Sequence, residues 1–195
     1  MPKNVYTDLD KYVRACRDGF EARLARIVEI PTISMEPDRK ADIRRGAQLA
    51  CDYLKSAGAQ AEIVETPGNP VVLGKFWTGA GNPTLTIYNH IDVQPADPSE
   101  WHKAPFIFYK HDGIYEGRGT TDDKGPALVA LEAARYSVDN GIPPDERTEA
   151  RTVIYIMLSG FPARQDQKSL ESSESPGSPG VRMRRELKIR GGIAK

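Results

Sequence analysis

The residues best equipped for chemistry fall in two short segments, Tyr88-Asn89-His90-Ile91-Asp92-Val93-Gln94-Pro95 and Gly117-Arg118-Gly119-Thr120-Thr121-Asp122-Asp123-Lys124-Gly125. His90 and Asp92 stand at i and i+2 after an apolar run, so on a continuing strand both side chains share one face. A carboxylate beside an imidazole accepts one N–H, fixes the tautomer and raises the basicity of the other nitrogen, an arrangement that metal-binding histidines favour. Taken alone, the pair reads more readily as an ordinary surface hydrogen bond. The second segment sets two consecutive carboxylates between glycine-bearing turns, just ahead of a helix-like run. Acids there complement the helix dipole and cap free N–H groups, which is the reading given to Asp123. The glycines lack phosphate-loop spacing, so nucleotide binding does not follow from them.

The elements that must position these residues alternate between helical and strand periods. Leu9, Tyr12, Val13, Cys16, Phe20, Leu24, Ile27 and Val28 recur at three- and four-residue steps, with Thr7 as N-cap, Asp10 three residues on and Pro31 closing the run. A second amphipathic helix runs from about Asp38 through Ile43, Ala47, Ala50, Cys51 and Leu54 to Gly58, which stands where a helix-ending glycine belongs. Strands are predicted at 61–66, 71–77 and 84–89, parted by PGNP and TGAGNP turn signals. Residues 106–110 and 114–116 read as a hairpin across His111-Asp112-Gly113. A third helix fits Pro126 to about Asn140 with Gly141 after it, and the run Thr152 to Leu158 reads as a buried strand. Interleaved helices and strands predict an α/β layered sheet.

Composition excludes several classes of function. The 195 residues hold 27 Lys+Arg against 27 Asp+Glu, which removes the electrostatic case for nucleic acid or anionic membrane as partner. No apolar run reaches the roughly 18 residues of a membrane span, and no signal-peptide h-region stands in the first turns of sequence. Two cysteines, Cys16 and Cys51, both at apolar helical positions, read as small buried hydrophobes in a reduced, cytoplasmic setting. Residues 161–195 carry eight basic against four acidic residues, and their SLESSESPGSPG stretch has too little apolar surface to offset ordering entropy. The sequence therefore divides into a body, 1–160, and a tail, 161–195, expected to be disordered or out of frame.

Taken together, the two segments resemble the metal-site region of the M20 metallopeptidases, the group of carnosinase-like dipeptidases, succinyl-diaminopimelate desuccinylase and glutamate carboxypeptidase. The resemblance spans roughly residues 8–160, and His-x-Asp-Val-Gln-Pro followed by Gly-Arg-Gly-x-x-Asp-Asp-Lys-Gly points to the dipeptidase-like branch. It implies the N-terminal part of a layered helix/sheet/helix zinc-peptidase-like catalytic domain. It further implies that His90 binds zinc, that Asp92 orients the imidazole as a catalytic residue, and that Asp122 bridges two zinc ions, with a cis peptide joining it to Asp123. The implied chemistry is hydrolysis of dipeptides or small N-acyl amino acids, in which metal ions polarise the carbonyl and generate hydroxide while a glutamate acts as base.

The resemblance breaks after the last strand. Where the family continues into Glu-Glu-x-Gly-Ser, base then ligand, this sequence reads Ser159-Gly160-Phe161-Pro162-Ala163. Aligning Glu174 with the base puts Ser175 in place of the ligand and leaves the intervening segment too long. His102 and His111 offer no rescue by motif and read as exposed loop and hairpin-tip residues. His90 and Asp122 fall short of the three or so protein ligands that a catalytic zinc takes. The expectation is a truncated or frame-shifted chain, inactive alone, binding zinc at most weakly and unable to dimerise through the family's lid domain. The alternatives are a non-catalytic fragment serving as a weak metal-binding or interaction module, or a module using the basic VRMRRELKIR run.

Overall fold

The structure is a computed structural model that describes residues 5–77, 84–140 and 152–158. Expectations placed on 78–83, 141, 159–163 and the 161–195 tail lie outside the described residues. The first helix, α1 (Val5–Val28), buries the C-terminal part of the predicted apolar stripe, Leu24, Ile27 and Val28, whereas Leu9 and Val13 of the same stripe are exposed. It begins upstream of Thr7, which therefore lies inside the first turn and is not the N-cap. Local cap signals fix a helix start only to within a residue or two. The second helix, α2 (Lys40–Ser56), likewise starts later than Asp38, because Pro37–Arg39 form a separate 3-10 turn. Arg39 holds that junction by pairing with Glu36 and Asp42, each at 3.2 Å.

The C-terminal end of α2 follows the sequence closely. Gly58 adopts φ +92°, its N–H donates to Lys55 O at 3.0 Å, and the Ala59 N–H donates to Leu54 O at 3.0 Å. That pair of bonds satisfies two of the helix's last carbonyls, and the left-handed conformation suits a residue with no Cβ. The chain reverses into β1 (Gln60–Val64), which pairs antiparallel with β2 (Val71–Trp77). Strand β3 (Thr84–His90) follows, then the short hairpin β4 (Tyr109–His111) and β5 (Ile114–Glu116), the helix α3 (Lys124–Asp139) and β6 (Thr152–Leu158).

The sheet order is β1-β2-β6-β3. The last of the described strands is thus an inner one, antiparallel to β2 and parallel to β3. Alternation along β2 sends Val72, Gly74 and Phe76 toward the helices, and the register aligns Gly74 with Tyr155 and Tyr155 with Ile87. One apolar cluster joins α1, α2 and α3 to this face, from Leu24 and Val28 through Ala47 and Leu54 to Leu128 and Leu131. The α/β layering is therefore present, with the described helices forming a layer on one side of the sheet. On the other side β3 presents Thr84, Thr86 and Tyr88 to solvent. No described helix is long and apolar enough to cross a membrane. Cys51 is buried as expected, whereas Cys16 is only half-buried.

Helix α2 closes on the sheet at one notch. A Cβ on Gly74 would lie 2.8 Å from a Leu54 methyl, and Leu54 itself is 0% exposed. Replacing Leu54 by alanine removes the side chain that fills this notch and leaves a cavity between helix and sheet. A loss of about 2–5 kcal/mol is expected from urea unfolding.

The hairpin is shorter than predicted. The Ile107 N–H donates to Ala104 O at 2.9 Å, so Ala104–Ile107 close a turn and pairing begins only at Tyr109. Asp112 and Gly113, at φ +47° and +77°, make the two-residue connection. His111 pairs with Ile114 inside the ladder and is not the tip residue that the sequence pattern indicated. Glu21 of α1 holds the hairpin in place, accepting from Lys110 Nζ at 2.8 Å and Tyr115 Oη at 2.7 Å. Those two hydrogen bonds hold its carboxyl below the usual carboxylate range.

Candidate metal centre

Strand β3 ends at His90, and the chain is fixed immediately afterwards by apolar burial. Ile91 and Val93 are buried on either side of Asp92. The segment after α1 runs alongside: Ile33 bridges Val93, the Val93 N–H donates to Thr32 O at 2.9 Å, and Thr32 Oγ1 donates to Ile91 O. Asp92 is thereby turned toward His90. The His90 Nδ1 lies 3.1 Å from Asp92 O and 3.4 Å from Asp92 Oδ1. Both are acceptors and suit a ring proton on Nδ1, the tautomer that leaves Nε2 to face a cation.

The second segment reaches the same place from the other side. The Gly-Arg-Gly turn is held by the Arg118 N–H, which donates to Pro105 O at 2.7 Å, and by the Arg118 guanidinium, 5.1 Å from the Trp101 ring centre. Arg118 NH2 also donates to Pro95 O at 3.1 Å, tying the turn to the loop that follows Asp92. The peptide Asp122–Asp123 is cis. Asp122 Oδ1 lies 3.2 Å from His90 Nε2, and its side chain is 84% exposed against 34% for His90. The structure thus brings together the three residues singled out in the sequence, His90, Asp92 and Asp122.

Asp123 departs from its expected role. It occupies the N-cap position of α3 but makes no side-chain cap hydrogen bond. Its Oδ2 accepts from Asn89 Nδ2 at 2.8 Å and from the His90 N–H at 3.1 Å. The carboxylate therefore ties the helix start to the end of β3, a stronger use in a place where two free donors already converge. Lys124, next in sequence, is 0% exposed and donates from Nζ to Ile30 O at 2.7 Å. Burial pulls its pKa down to about 7, with the Asp92 charge opposing the shift.

His102 and His111 pair with Glu116, at 3.0 and 3.3 Å from its Oε2. Their hydrogen bonds, that of His102 foremost, hold the Glu116 carboxyl below the usual range. Among the described residues, no group of three or more His, Cys, Asp or Glu side chains is gathered to hold a metal. The chemistry of the His90 pair nevertheless suits a cation. An imidazole nitrogen and a carboxylate oxygen, both of them metal-ligand atoms, face each other across 3.2 Å. That spacing lets both reach one ion at zinc-like distances of about 2.0–2.2 Å.

Comparisons with known proteins bear on the family and the fold. Residues 86–150 match the family described as Peptidase family M20/M25/M40. The Cys-Gly metallodipeptidase dug1 of Schizosaccharomyces pombe is 32% identical over 138 residues, covering 65% of this chain and 29% of that protein. The Beta-Ala-His dipeptidase of Rattus norvegicus is 30% identical over 139 residues, covering 64% of this chain and 28% of that one. Human carnosine dipeptidase 1 superposes with a TM-score of 0.71 at 26% identity, over 87% of this chain and 38% of that structure. The M20 family metallo-carboxypeptidase Sso-CP2 from Sulfolobus solfataricus gives a TM-score of 0.60 at 26% identity, over 82% and 31%. This chain therefore spans less than a third of the curated relatives it matches, and about a third of the structures.

Proposed function

We propose that this chain, which resembles the M20 peptidases in sequence and fold, carries part of a zinc-dependent centre for hydrolysing amide bonds of dipeptides or small N-acyl amino acids. On its own residues it binds the metal weakly and does not turn substrate over. The observation that carries the reading is the facing of His90 Nε2 and Asp122 Oδ1 at 3.2 Å, with the opposite ring nitrogen held by Asp92. Zinc, when bound, supplies Lewis-acid polarisation of an amide carbonyl and a water of lowered pKa. His90 and Asp122 are the residues that would hold it. Asp92 keeps the His90 proton on Nδ1, so that Nε2 stays free to ligate. Asp123 fixes the backbone at His90 and so sets where the imidazole stands.

Two ligands fall short of what a catalytic zinc takes, and the sequence offers Pro162-Ala163 where the family's base and next ligand stand. Groups of this kind act as a unit, so losing several leaves little beyond binding. Zinc titration against a chromogenic chelator, followed by assays on Cys-Gly and β-Ala-His, tests both halves of the reading. Weak zinc binding that falls at least tenfold in His90→Ala, with hydrolysis at background, is the expected result. Zinc binding untouched by His90→Ala would remove the metal assignment, and zinc-dependent turnover lost in that variant would remove the inactivity.

A further inference from the structure

Asp92 has one carboxylate oxygen toward His90 and one away from it, and the second is held by a residue from a different part of the chain. Ser34 Oγ donates to Asp92 Oδ2 at 2.6 Å, across 58 residues of sequence. We propose that Ser34 is a positioning residue for the centre: it locks the Asp92 carboxylate so that Oδ1 and the Asp92 carbonyl together fix the His90 tautomer and ring plane. This rests on the reading of His90 as a metal ligand.

Three features of the surroundings support it. The Asp92 side chain is only 18% exposed, so solvent is a poor substitute for the lost donor. The segment leading into Ser34 is fixed at two points, by Lys124 Nζ on Ile30 O at 2.7 Å and by the Val93 N–H on Thr32 O at 2.9 Å. Helix α2 presses on it as well, since a Cβ at Gly46 would lie 2.5 Å from the Thr32 methyl carbon. A hydroxyl on so constrained a backbone delivers its hydrogen bond with little further loss of freedom. Without it the carboxylate turns about its terminal torsion, which has broad minima, and Oδ1 leaves the imidazole.

The test compares the full chain with Ser34→Ala and Ser34→Thr by two readouts. Nitrogen-15 NMR of the His90 imidazole at pH 8.5, without metal, reports the tautomer, and chelator competition reports zinc affinity. Ser34→Ala is expected to lower the fraction protonated at Nδ1 and to weaken zinc binding about tenfold, the size of effect seen when an outer-shell partner is lost. Ser34→Thr, which keeps the hydroxyl, is expected to restore both. Wild-type tautomer and affinity in a folded Ser34→Ala chain would overturn the proposal. If the parent chain binds no zinc yet Ser34→Ala shifts the tautomer, the metal reading fails and the positioning role stands.

Discussion

Replacing Gly125 by alanine is expected to cost about 3 kcal/mol of stability, at the upper end for overpacking, and to abolish zinc binding. A Cβ there would sit 2.0 Å from the Thr120 carbonyl oxygen and 3.0 Å from its carbon. The obstacle is backbone, so no side chain can swing aside. Either the turn from Gly117 to Thr121 or the first turn of α3 must move, and Asp122 and Asp123 lie between them. Displacing Asp123 frees the donors at Asn89 and His90, and displacing Asp122 removes the partner of the imidazole nitrogen. Gly58→Ala supplies the contrast. Its backbone is left-handed, φ +92°, unlike that of Gly125, but nothing lies within 4 Å of its Cβ. Its cost is expected to be about 1–2 kcal/mol, with zinc binding unchanged. Urea unfolding and chelator competition on the two variants separate steric disruption of the centre from backbone strain. Similar losses in both would mean that the close approach of Gly125 to Thr120 does not govern the site.

What the sequence made legible was whatever is encoded over a few residues. The apolar stripes of α1 and α2, the glycine that ends α2, and the Asp112-Gly113 turn each follow from a local pattern with a single physical cause. The pairing of His90 with Asp92 was only half legible: the i, i+2 spacing marks the pair, but β3 ends at His90 and it is Thr32 and Ile33 that turn Asp92 toward the imidazole. Sheet order was not legible: the unbroken apolar run TVIYIML marks a buried strand but does not say which strands flank it, and placing β6 between β2 and β3 requires the partners to be known. The work of Asp123, Ser34 and Lys124 was hidden for a related reason. Each has a bland local reading, as helix cap, loop hydroxyl and solvated base. Each instead finds its partner 34, 58 and 94 residues away. A polar residue in a breaker-rich segment such as Pro31-Thr32-Ile33-Ser34 carries no periodic signal, so only the tertiary fold distinguishes it from a surface loop.

Lys124 yields the second large effect, a stability that climbs with pH. In the folded chain its ammonium is 0% exposed and faces the Ile30 carbonyl, and burial lowers its pKa from 10.5 to about 7. In the unfolded chain the same lysine keeps its proton up to about pH 10.5. Between those values the unfolded state binds more protons than the folded one, so folded stability rises with pH, by up to about 1.4 kcal/mol per unit. Below pH 7 both states are charged and the cost of burying the ammonium is fully present. For chelator-treated protein, urea unfolding at pH 7.5 and pH 9.0 is expected to show a gain of about 2 kcal/mol. Lys124→Met keeps the buried chain and removes the titrating group, so the difference between parent and variant isolates this residue's contribution. The variant's curve is expected to stay flat there. At pH 9.0 it is also expected to be the less stable of the two, because methionine leaves the Ile30 carbonyl without its donor at about 1–3 kcal/mol. An equal slope in the two proteins would place the pH dependence elsewhere, and stability falling from pH 7.5 to 9.0 in the parent alone would mean that the ammonium is held charged by its surroundings.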